Sequence, residues 1–455
     1  MADIFSTLSL GARALTAHRT AAATASHNLE NASTPGYARQ RANLEANEAD
    51  AFSPTGFIGS GVRVAGISQA RDRFVESRLP GLFASSSSST ARADALAAVT
   101  SFDPEGGVKL TSRMSSFFGS LRDLQQRPTD PATRRGAVAA ADELARGFNA
   151  AANDLESARR AVDADLKSRA PQATQLLATV ADLNVRIKVA AASGGGPPND
   201  LIDARQRAVD AAVQLTGAAV IPNDDGDVGL ALASGESLVA GDSAATINAT
   251  TDAVGRLTFS VQRPGGAAHV VDNADWRGTF GGAFTARDQD LGGAAAALDA
   301  AADSFASAVN AAHSAGFALD GSTGRPLFSG SGARGIAVEA TIKADPSLLQ
   351  LSADPTRAGD AQNLVALLTV EQSNPAGALS DVVAIFGEAA RAADVDAEAD
   401  LGLLTHGLDL REGVSGVSVD EELVELQRAE RAFQAATKVV STADQMLQTL
   451  LDLKN

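Results

Sequence analysis

Histidine, serine and acidic side chains are the residues of this chain whose types could perform chemistry. The five histidines are scattered along the sequence, at His18, His27, His269, His313 and His406. No HExxH pair occurs, and there is no cysteine to complete a zinc site. No GxSxG nucleophile motif is present. The spacing predicts structural histidines, no metal site and no catalytic site, so we expect a protein that is not an enzyme.

Two further patterns could bind phosphate or calcium. Residues 194–196 are consecutive glycines, but the lysine that follows the glycines of a phosphate-binding loop is missing. Asp224, Asp225 and Asp227 surround Gly226 and could bind calcium weakly. This segment lacks the full ligand pattern of a calcium loop, so a β-turn is the favoured interpretation. We expect no cofactor.

Charge and hydropathy restrict the possible partners. The chain has 455 residues and a formal net charge of −17 at pH 7, with no long basic run for binding nucleic acid. An acidic surface disfavours anionic membranes, and no run of about 18 apolar residues could cross a bilayer. We expect neither nucleic acid nor membrane as a partner. The first residues do not show the pattern of a cleavable secretory signal, so export would need another route.

The elements that could position functional residues are helices at both ends of the chain. Residues 3–31 form an amphipathic pattern with heptad spacing. Its apolar stripe contains Ile4, Leu8, Gly11, Leu15, His18, Ala22, Ala25 and Leu29. This helix is expected to end before Pro35, and Thr34-Pro35-Gly36-Tyr37 predicts a tight turn.

A second heptad pattern covers the C-terminal residues. Ser418 and Glu421 form a predicted capping box that starts this helix. Large apolar residues then recur every seven positions, accompanied mostly by small ones. They are Val419, Leu426, Phe433, Val440 and Leu447, with Ala429, Ala436, Ala443 and Leu450 as companions. The two ends of the chain therefore predict matching coiled-coil seams that meet.

These terminal seams have two possible uses. They could pack on the rest of the same chain. Alternatively, they could stay loose in the free subunit and pack against neighbouring copies. A lone pair of helices is only marginally stable, and the position of the seams at both chain ends favours contact between subunits. The pattern alone leaves both uses open.

Between the ends, helical patterns surround one strand-rich segment. Helices are predicted at 70–100, 108–126, 131–192, 199–216, 285–315, 360–371 and 375–399. Short strands are predicted within 217–284, and smaller strand regions at 316–345 and 61–68. The serine run 85–89 is interpreted as a flexible joint, with a helical continuation as the alternative.

Together these elements predict a mainly α protein with a small β insert. Residues 1–40 and 415–455 would form a coaxial terminal coiled coil. Residues 41–216 and 285–414 would form a helical-bundle middle domain, and residues 217–284 an outer β domain.

One stretch near the N-terminus carries a family signature. Asn28 and Asn31 lie one helical turn apart and precede Pro35-Gly36-Tyr37. The stretch resembles the N-terminal signature of the flagellar rod, hook and hook-associated proteins, and residues 37–40 are most similar to the type 1 hook-associated proteins. Similar segments occur at 59–79, 117–121, 128–131, 199–205 and 416–428. From the residues alone, local capping or turn bonding by the two asparagines is the alternative.

The resemblance implies a structural subunit that leaves the cell by flagellar type III export, without cleavage. It would join a ring at the hook–filament junction of the extracellular flagellum. The implied partners are further copies of this chain, the hook protein, the second junction protein and a cytoplasmic export chaperone that covers the C-terminal helix. The implied assembly contacts are Leu8, Leu15, Asn28, Leu29, Asn31, Pro35, Gly36, Tyr37, Val419, Leu423, Leu426, Phe433, Val440, Leu447 and Leu450. The alternatives are a rod or hook subunit and a cytosolic coiled-coil scaffold.

Overall fold

The computed structural model describes residues 2–47, 51–53, 56–102, 107–194, 196–253 and 255–452. Most of these residues are helical, and the strands form several small sheets. The predicted class, a mainly α protein with long helices at both ends, is confirmed. Within these described residues, no helix has the length and apolar character needed to span a membrane.

The two ends of the chain form an antiparallel pair of helices, α1 (Ala2–Glu30) and α12 (Val419–Asp452). Near one end of the pair Gly11 faces Val440, and at the other end Asn28 binds Glu422. A Cβ on Gly11 would lie only 2.5 Å from Val440 Cγ2, so the two backbones approach closely there.

Small residues form the seam of this pair. Ala429, Ala436 and Ala443 on α12 are buried, as are Ala17 and Ala25 on α1. Small side chains bring the helices close together and bury little apolar surface. The predicted pairing of the two ends is therefore observed. The alanines of α12 that were predicted as companions of the large apolar residues lie at the centre of its contact with α1.

The cap that starts α12 differs in part from the predicted capping box. The Glu421 backbone N–H donates to Ser418 Oγ at 3.4 Å, as expected for the cap. The Glu421 carboxylate accepts a hydrogen bond from Arg39 NH1 at 2.7 Å, so it is held away from the Ser418 N–H. An arginine more than 380 positions earlier in the chain is a partner that local spacing cannot reveal.

A β hairpin follows α1. Strand β1 (Gln40–Ala46) pairs with β4 (Val62–Gln69), and β2 (Ala51–Ser53) pairs with β3 (Gly56–Ile58) between them. β4 confirms the strand predicted at 61–68. Its partner β1 was not predicted, because its mostly polar sequence lacks an alternating apolar pattern.

The middle of the chain is a body of packed helices. They are α2 (Arg73–Ala97), α3 (Leu110–Gln126), α4 (Pro131–Ala192), α5 (Asn199–Thr216), α6 (Gly278–Thr285), α7 (Leu291–Ser314), α8 (Gly332–Gly335), α9 (Ala340–Ala344), α10 (Gln362–Gln372) and α11 (Pro375–Ser415). α4 has 62 residues, so it is about 93 Å long and runs through the whole body. The Asp130 carboxylate starts this helix by accepting a hydrogen bond from the Thr133 N–H at 3.1 Å.

Two predicted helix boundaries are wrong. The last helix of the body continues to Ser415 rather than ending at 399, because no proline interrupts its 41 residues. Helix α6 lies inside the segment predicted to be strands, because its glycines lower the helical propensity of that sequence.

The strand-rich segment forms two small antiparallel sheets. The first has the order β5 (Ala219–Pro222), β6 (Val228–Ala231), β7 (Ser237–Ala240) and β8 (Ser243–Ala244). The second has the order β11 (His269–Val271), β10 (Leu257–Gln262) and β9 (Thr246–Thr251). A further pair, β12 (Phe328–Ser329) and β13 (Ala337–Val338), lies within the predicted strand region at 316–345.

Both sheets of the strand-rich segment share a core with the neighbouring helices. Phe259 of β10 packs edge-to-face on Trp276 and Phe280, and this cluster also contains buried residues of α4 and α5. The separate outer β domain at 217–284 stays a prediction, as do the other domain boundaries.

The serine run 85–89 lies in the middle of α2, so the flexible joint is wrong and the helical continuation is right. α6 packs directly on this run. A Cβ on Gly282 would lie 1.9 Å from the backbone oxygen of Ser88. Serine and glycine therefore suit these positions, because the two helix backbones approach too closely at this crossing for larger side chains.

Two hydrophobic clusters stabilise the body. One surrounds Phe117, Phe305 and Phe328, and the other contains Phe259 and Trp276. Among the described residues, neither cluster includes a side chain before Val75 or after Leu404. The paired terminal helices therefore lie outside both cores.

Candidate functional site at the root of the terminal helices

Asn28 occupies the centre of a buried polar network at the end of α1. It is 1% exposed. Its Nδ2 donates to the Gln40 backbone oxygen at 2.8 Å and to Glu422 Oε2 at 2.9 Å. Its Oδ1 accepts from the Tyr37 hydroxyl at 2.7 Å and from the Gln40 N–H at 2.9 Å. An asparagine satisfies all four groups because it carries two donors and an acceptor oxygen with two lone pairs. We call Asn28, Tyr37, Arg39, Gln40 and Glu422 the root network.

A tight turn carries Tyr37 back towards Asn28. Asn31 Nδ2 donates to the His27 backbone oxygen at 3.0 Å, and Thr34 Oγ1 donates to Asn31 Oδ1 at 3.2 Å. Gly36 has φ +73°, which a side chain would strain. Pro35 is exposed beside it. Asn31 thus shapes the turn locally, while Asn28 binds distant parts of the chain.

Tyr37 is held in its neutral, donating form. Burial raises the pKa of its phenol well above the usual range, and the negative charges of Asp200, Asp203 and Glu422 add to this. The ring also packs edge-on against His27, with centroids 5.6 Å apart. The hydroxyl therefore donates to Asn28 at any physiological pH.

Arg39 joins the network to the start of α12. Its Nε donates to Glu422 Oε1 at 2.6 Å and its NH1 to Glu421 Oε2 at 2.7 Å. Burial alone would lower the pKa of Arg39, but the two carboxylates raise it above its usual value. Glu422 is 3% exposed, so the hydrogen bonds from Arg39 and Asn28 supply the partners that its buried oxygens need.

The first turns of α5 bind the same region from the side of the body. Asp203 is 1% exposed. Its Oδ1 accepts from Gln69 Nε2 at 2.7 Å and Arg71 NH2 at 2.5 Å, and its Oδ2 from the Ala38 N–H at 3.2 Å. One carboxylate thus binds the turn after α1, the end of β4 and the residue that leads into α2.

Asn199 and Asp200 extend this binding surface. Asp200 Oδ1 accepts from Gln40 Nε2 at 2.9 Å and lies 3.1 Å from His27 Nε2. Asn199 Nδ2 donates to the Ile67 backbone oxygen at 3.2 Å. Asn199, Asp200 and Asp203 together are called the socket. Acidic side chains suit this position because the N-terminus of a helix carries partial positive charge.

The socket helix is itself fixed inside the body. Arg411 of α11 donates to Asp210 Oδ2 at 3.0 Å and to Glu76 Oε2 of α2 at 2.9 Å. Burial raises the pKa of Asp210, although the charge of Arg411 opposes this effect. Three helices of the body are therefore tied together beneath the socket.

The root network and socket are suited to holding elements in place. Within the described chain, no group of three or more histidine and acidic side chains is arranged to bind a metal ion. The buried donors and acceptors of the root are matched to each other, so their geometry fixes α1, the turn that follows it and α12 against one another, and the socket joins them to the body.

The predicted apolar assembly residues lie outside the root. Leu8, Leu15 and Leu29 on α1 are half-buried along the helix pair, as are Leu426, Val440 and Leu447 on α12. Four others on α12 are exposed, namely Val419, Leu423, Phe433 and Leu450. Phe433 is 39% exposed, which is high for a phenylalanine on a coiled-coil position. Within one subunit the pair leaves an apolar surface uncovered.

Helix α11 carries a second uncovered apolar row. Ile385, Leu403, Leu410 and Val414 are exposed and share one face of the helix at heptad-like spacing. This row was not predicted, because the helix was expected to end at 399.

Sequence reasoning missed four parts of this site: Arg39, Gln40, Glu422 and the socket. A usable signal existed for each. Arg39 and Gln40 follow the signature turn, Glu422 stands in the acidic first turn of α12, and the socket has two acids at the start of α5. Their pairing could not be read from the sequence, because Asp203 binds Ala38 across 165 positions.

The C-terminal helix gives the class of protein. Residues 413–453 match a family model described as the C-terminal region of the flagellar basal body rod FlgEFG proteins. This match covers α12. It shows that the C-terminal helix is similar to that of flagellar basal body rod proteins.

The body gives the family. Residues 96–328, about half of the chain, match the model described as the flagellar hook-associated protein FlgK helical domain. The chain belongs to the family of flagellar hook-associated protein 1, which is the resemblance that the N-terminal signature predicted.

Individual relatives agree with this assignment. Flagellar hook-associated protein 1 of Salmonella typhimurium is 30% identical over 69% of this chain, and the match spans 58% of the length of that relative. The Bacillus subtilis protein of the same name is 25% identical over 99% of both chains. A solved structure of the flagellar hook junction protein FlgK from Burkholderia pseudomallei has a TM-score of 0.50 and 27% identity, covering 57% of this chain and 47% of that one.

Proposed function

We propose that this chain is a structural subunit of the bacterial flagellum that forms the junction between hook and filament and has no enzymatic activity. One observation carries the proposal. A FlgK-type helical body and a terminal helix of the flagellar axial type occur in the same chain, and the polar contacts of the socket join the body to the terminal region. This combination supports a subunit whose body is held at a fixed angle to its helical ends.

The uncovered apolar surface supports assembly with neighbouring copies. Phe433 and Leu423 on α12 and Leu403 on α11 remain exposed in the single subunit. Soluble monomers seldom leave so many large apolar side chains uncovered. In a ring, the α12 residues would pack against terminal helices of the next subunit, and the α11 row would pack against its body.

The remaining partners follow from this role. The hook protein would contact the subunit on one side and the second junction protein on the other. Before export through the type III route, a cytoplasmic chaperone would cover the exposed residues of α12. Covering them would prevent premature association, because exposed heptad positions pair with one another.

A rod or hook subunit is the alternative axial role. The FlgK-type body, with its 62-residue helix, favours the junction. The cytosolic scaffold predicts intact protein only inside the cell, whereas the junction role predicts it on the flagellum.

Immunogold electron microscopy of isolated flagella tests the proposal. A peptide tag inserted at Gly235, an exposed β-turn residue of the body, would be labelled on intact flagella. The junction role predicts gold at the boundary between hook and filament. Gold along the hook, along the rod or absent from flagella would contradict it.

A further inference from the structure

The exposed face of α11 is acidic as well as apolar. Large apolar residues of its row, among them Ile385, Leu403 and Leu410, are exposed in the single subunit. The helix also carries eight acidic side chains and only two arginines. Three of these acids lie in the same row, namely Asp381, Glu388 and Asp396. A partner that covers this face must therefore supply positive charge together with apolar contact.

The outer side of α4 supplies that charge, although the chain as a whole is strongly acidic. The basic residues on this side are exposed and lie on one stripe, because their separations correspond to about three, four and two helical turns. They are Arg135, Arg146, Arg160 and Lys167. Between them the stripe carries short, exposed side chains, which leave room for large ones from a partner. These are Ala139, Ala150, Asn153, Ser157 and Ala164. We call the two sets together the α4 stripe.

The acidic side chains of α4 are largely used inside the subunit. Asp142 lies on this side of the helix but pairs with Lys343 at 2.6 Å, and Asp163 pairs with Arg287 at 2.7 Å. Among the residues that the structure describes, Lys167 has no acidic partner of its own. The α4 stripe is therefore left with net positive charge.

Contacts after α2 place α4 and α11 at a common height. The N–H groups of Thr100 and Ser101 donate to Asp154 of α4 at 3.1 and 2.8 Å. The next residue, Phe102, packs on Phe386 of α11 with ring centroids 5.2 Å apart. Asp154 and Phe386 therefore mark about the same height on the two helices.

Both helices run in the same direction from these two residues. Asp165 of α4 lines a groove together with Ser86 of α2. A Cβ on Gly407 of α11 would lie 2.7 Å from Leu82 of α2. Each helix therefore passes back along α2. Copies that are related by rotation about an axis along these helices keep both the direction and the height of the helices.

Acidic and basic side chains of the two surfaces match in height. At about 1.5 Å per residue from the two marker residues, Arg146 and Asp381 lie within about 5 Å of each other along the axis. The same holds for Lys167 and Asp396. The two surfaces belong to different sides of the body, because α7 packs on both helices and lies between them.

We propose that the α11 row of each subunit packs on the α4 stripe of the next copy, with acidic side chains facing basic ones and large apolar side chains lying on short ones. Two different surfaces of one chain then join head to tail, and such contacts close into a ring when all copies are related by the same rotation. The inference rests on the proposed function, from which it takes the ring, and it names the surface of the neighbouring body that receives α11.

Site-specific cross-linking in purified flagella tests this contact. The chain has no cysteine, so introduced cysteines provide its only thiols. Asn153 and Ile385 are exposed and lie at the same height on the two helices. A chain with Asn153→Cys and Ile385→Cys should therefore give a ladder of linked subunits with a short bismaleimide. The control pair is Asn153→Cys with Leu410→Cys, which should give no ladder because Leu410 lies about 38 Å further along α11.

A charge reversal tests the ionic part of the contact. Lys167→Glu should lower the amount of the chain in purified flagella by at least about tenfold, because like charges would then face each other across the contact. Asp396→Lys in the same chain should restore most of that amount. The matched control is Arg256→Glu, at an exposed arginine in the turn between β9 and β10, and this variant should assemble normally. Each variant should keep the unfolding midpoint of the parent, followed by the fluorescence of Trp276.

Three results would overturn the contact. The first cysteine pair could give no ladder in a chain located at the junction, Lys167→Glu could assemble normally, or Asp396→Lys could fail to relieve the Lys167→Glu defect. Each of these leaves the junction role standing. A ladder from a chain located on the hook or the rod would instead support the contact and contradict the junction role.

Discussion

Replacing Asn28 with leucine removes the centre of the root network. The substitution deletes hydrogen bonds to the Tyr37 hydroxyl, to both backbone groups of Gln40 and to Glu422. Three neutral bonds contribute about 1 kcal/mol each and the bond to an ionised carboxylate about 2 kcal/mol, so the stability of the root network and the paired terminal helices should fall by about 5 kcal/mol. Leucine has the same branching and the same number of side-chain heavy atoms as asparagine, so the main loss is one of polar contacts.

The chain provides one spectroscopic probe for each part of the molecule. Tyr37 is the only tyrosine and lies in the root network, whereas Trp276 is the only tryptophan and lies in the body. Urea unfolding followed by the near-ultraviolet circular dichroism of Tyr37 should shift strongly in Asn28→Leu. The Trp276 fluorescence transition should stay where it is. Asn31→Leu is the control, because it loses only local bonds and should cost about 1–2 kcal/mol.

Alkaline titration of Tyr37 gives an independent readout of the same substitution. In the intact root the phenol has a raised pKa, whereas in an opened root it should ionise near its ordinary value of about 10. Because the folded state favours the neutral phenol, its contribution to stability is complete below that ordinary pKa and is lost as pH rises further. An unchanged titration and an unchanged Tyr37 unfolding curve in Asn28→Leu would refute a stabilising role for the network.

Three further predictions concern the cores and the assembly surface. Gly282→Ala should destabilise the body by about 1–3 kcal/mol in urea unfolding, because its Cβ would meet the Ser88 backbone; an unchanged midpoint would contradict the close crossing. Burial lowers the pKa of His313 to about 4, so between pH values of about 4 and about 6.5 the unfolded chain binds a proton that the folded chain does not bind. The free energy of unfolding should therefore fall by up to about 3 kcal/mol as pH drops through this window. His313→Gln should flatten this pH dependence. Phe433→Asp should leave the body folded and block incorporation into flagella, measured by immunoblotting of purified flagella, whereas Gln434→Asp on the outer side of α12 should incorporate normally.

Local patterns predicted most of the helices. The ends of α4 and α5 agree with their predicted boundaries because proline, glycine and capping residues act within a few positions along the chain. The paired ends were also predicted, because heptad spacing depends only on nearby residues. These features can be predicted without knowing the fold.

Features that depend on distant partners could not be predicted in this way. The close packing of α6 on the serines of α2 depends on Gly282, which lies far along the chain. Glu422 can be buried because two residues near the other end of the chain bind it: Arg39 forms an ion pair with it and Asn28 donates a hydrogen bond to it. The role of Asp203 depends on three groups that meet only after folding. The signature asparagines were recognised, but the sequence did not distinguish the buried role of Asn28 from the local role of Asn31.

Electron microscopy of a deletion strain, combined with an assay for flagellin in the medium, tests the central claim most directly. The junction role predicts finished hooks without filaments and flagellin lost to the medium, with both restored by the intact gene. Normal filaments in the deletion strain would contradict the claim. The absence of hooks would also contradict it and would assign the chain to an earlier step in the assembly of the rod or hook.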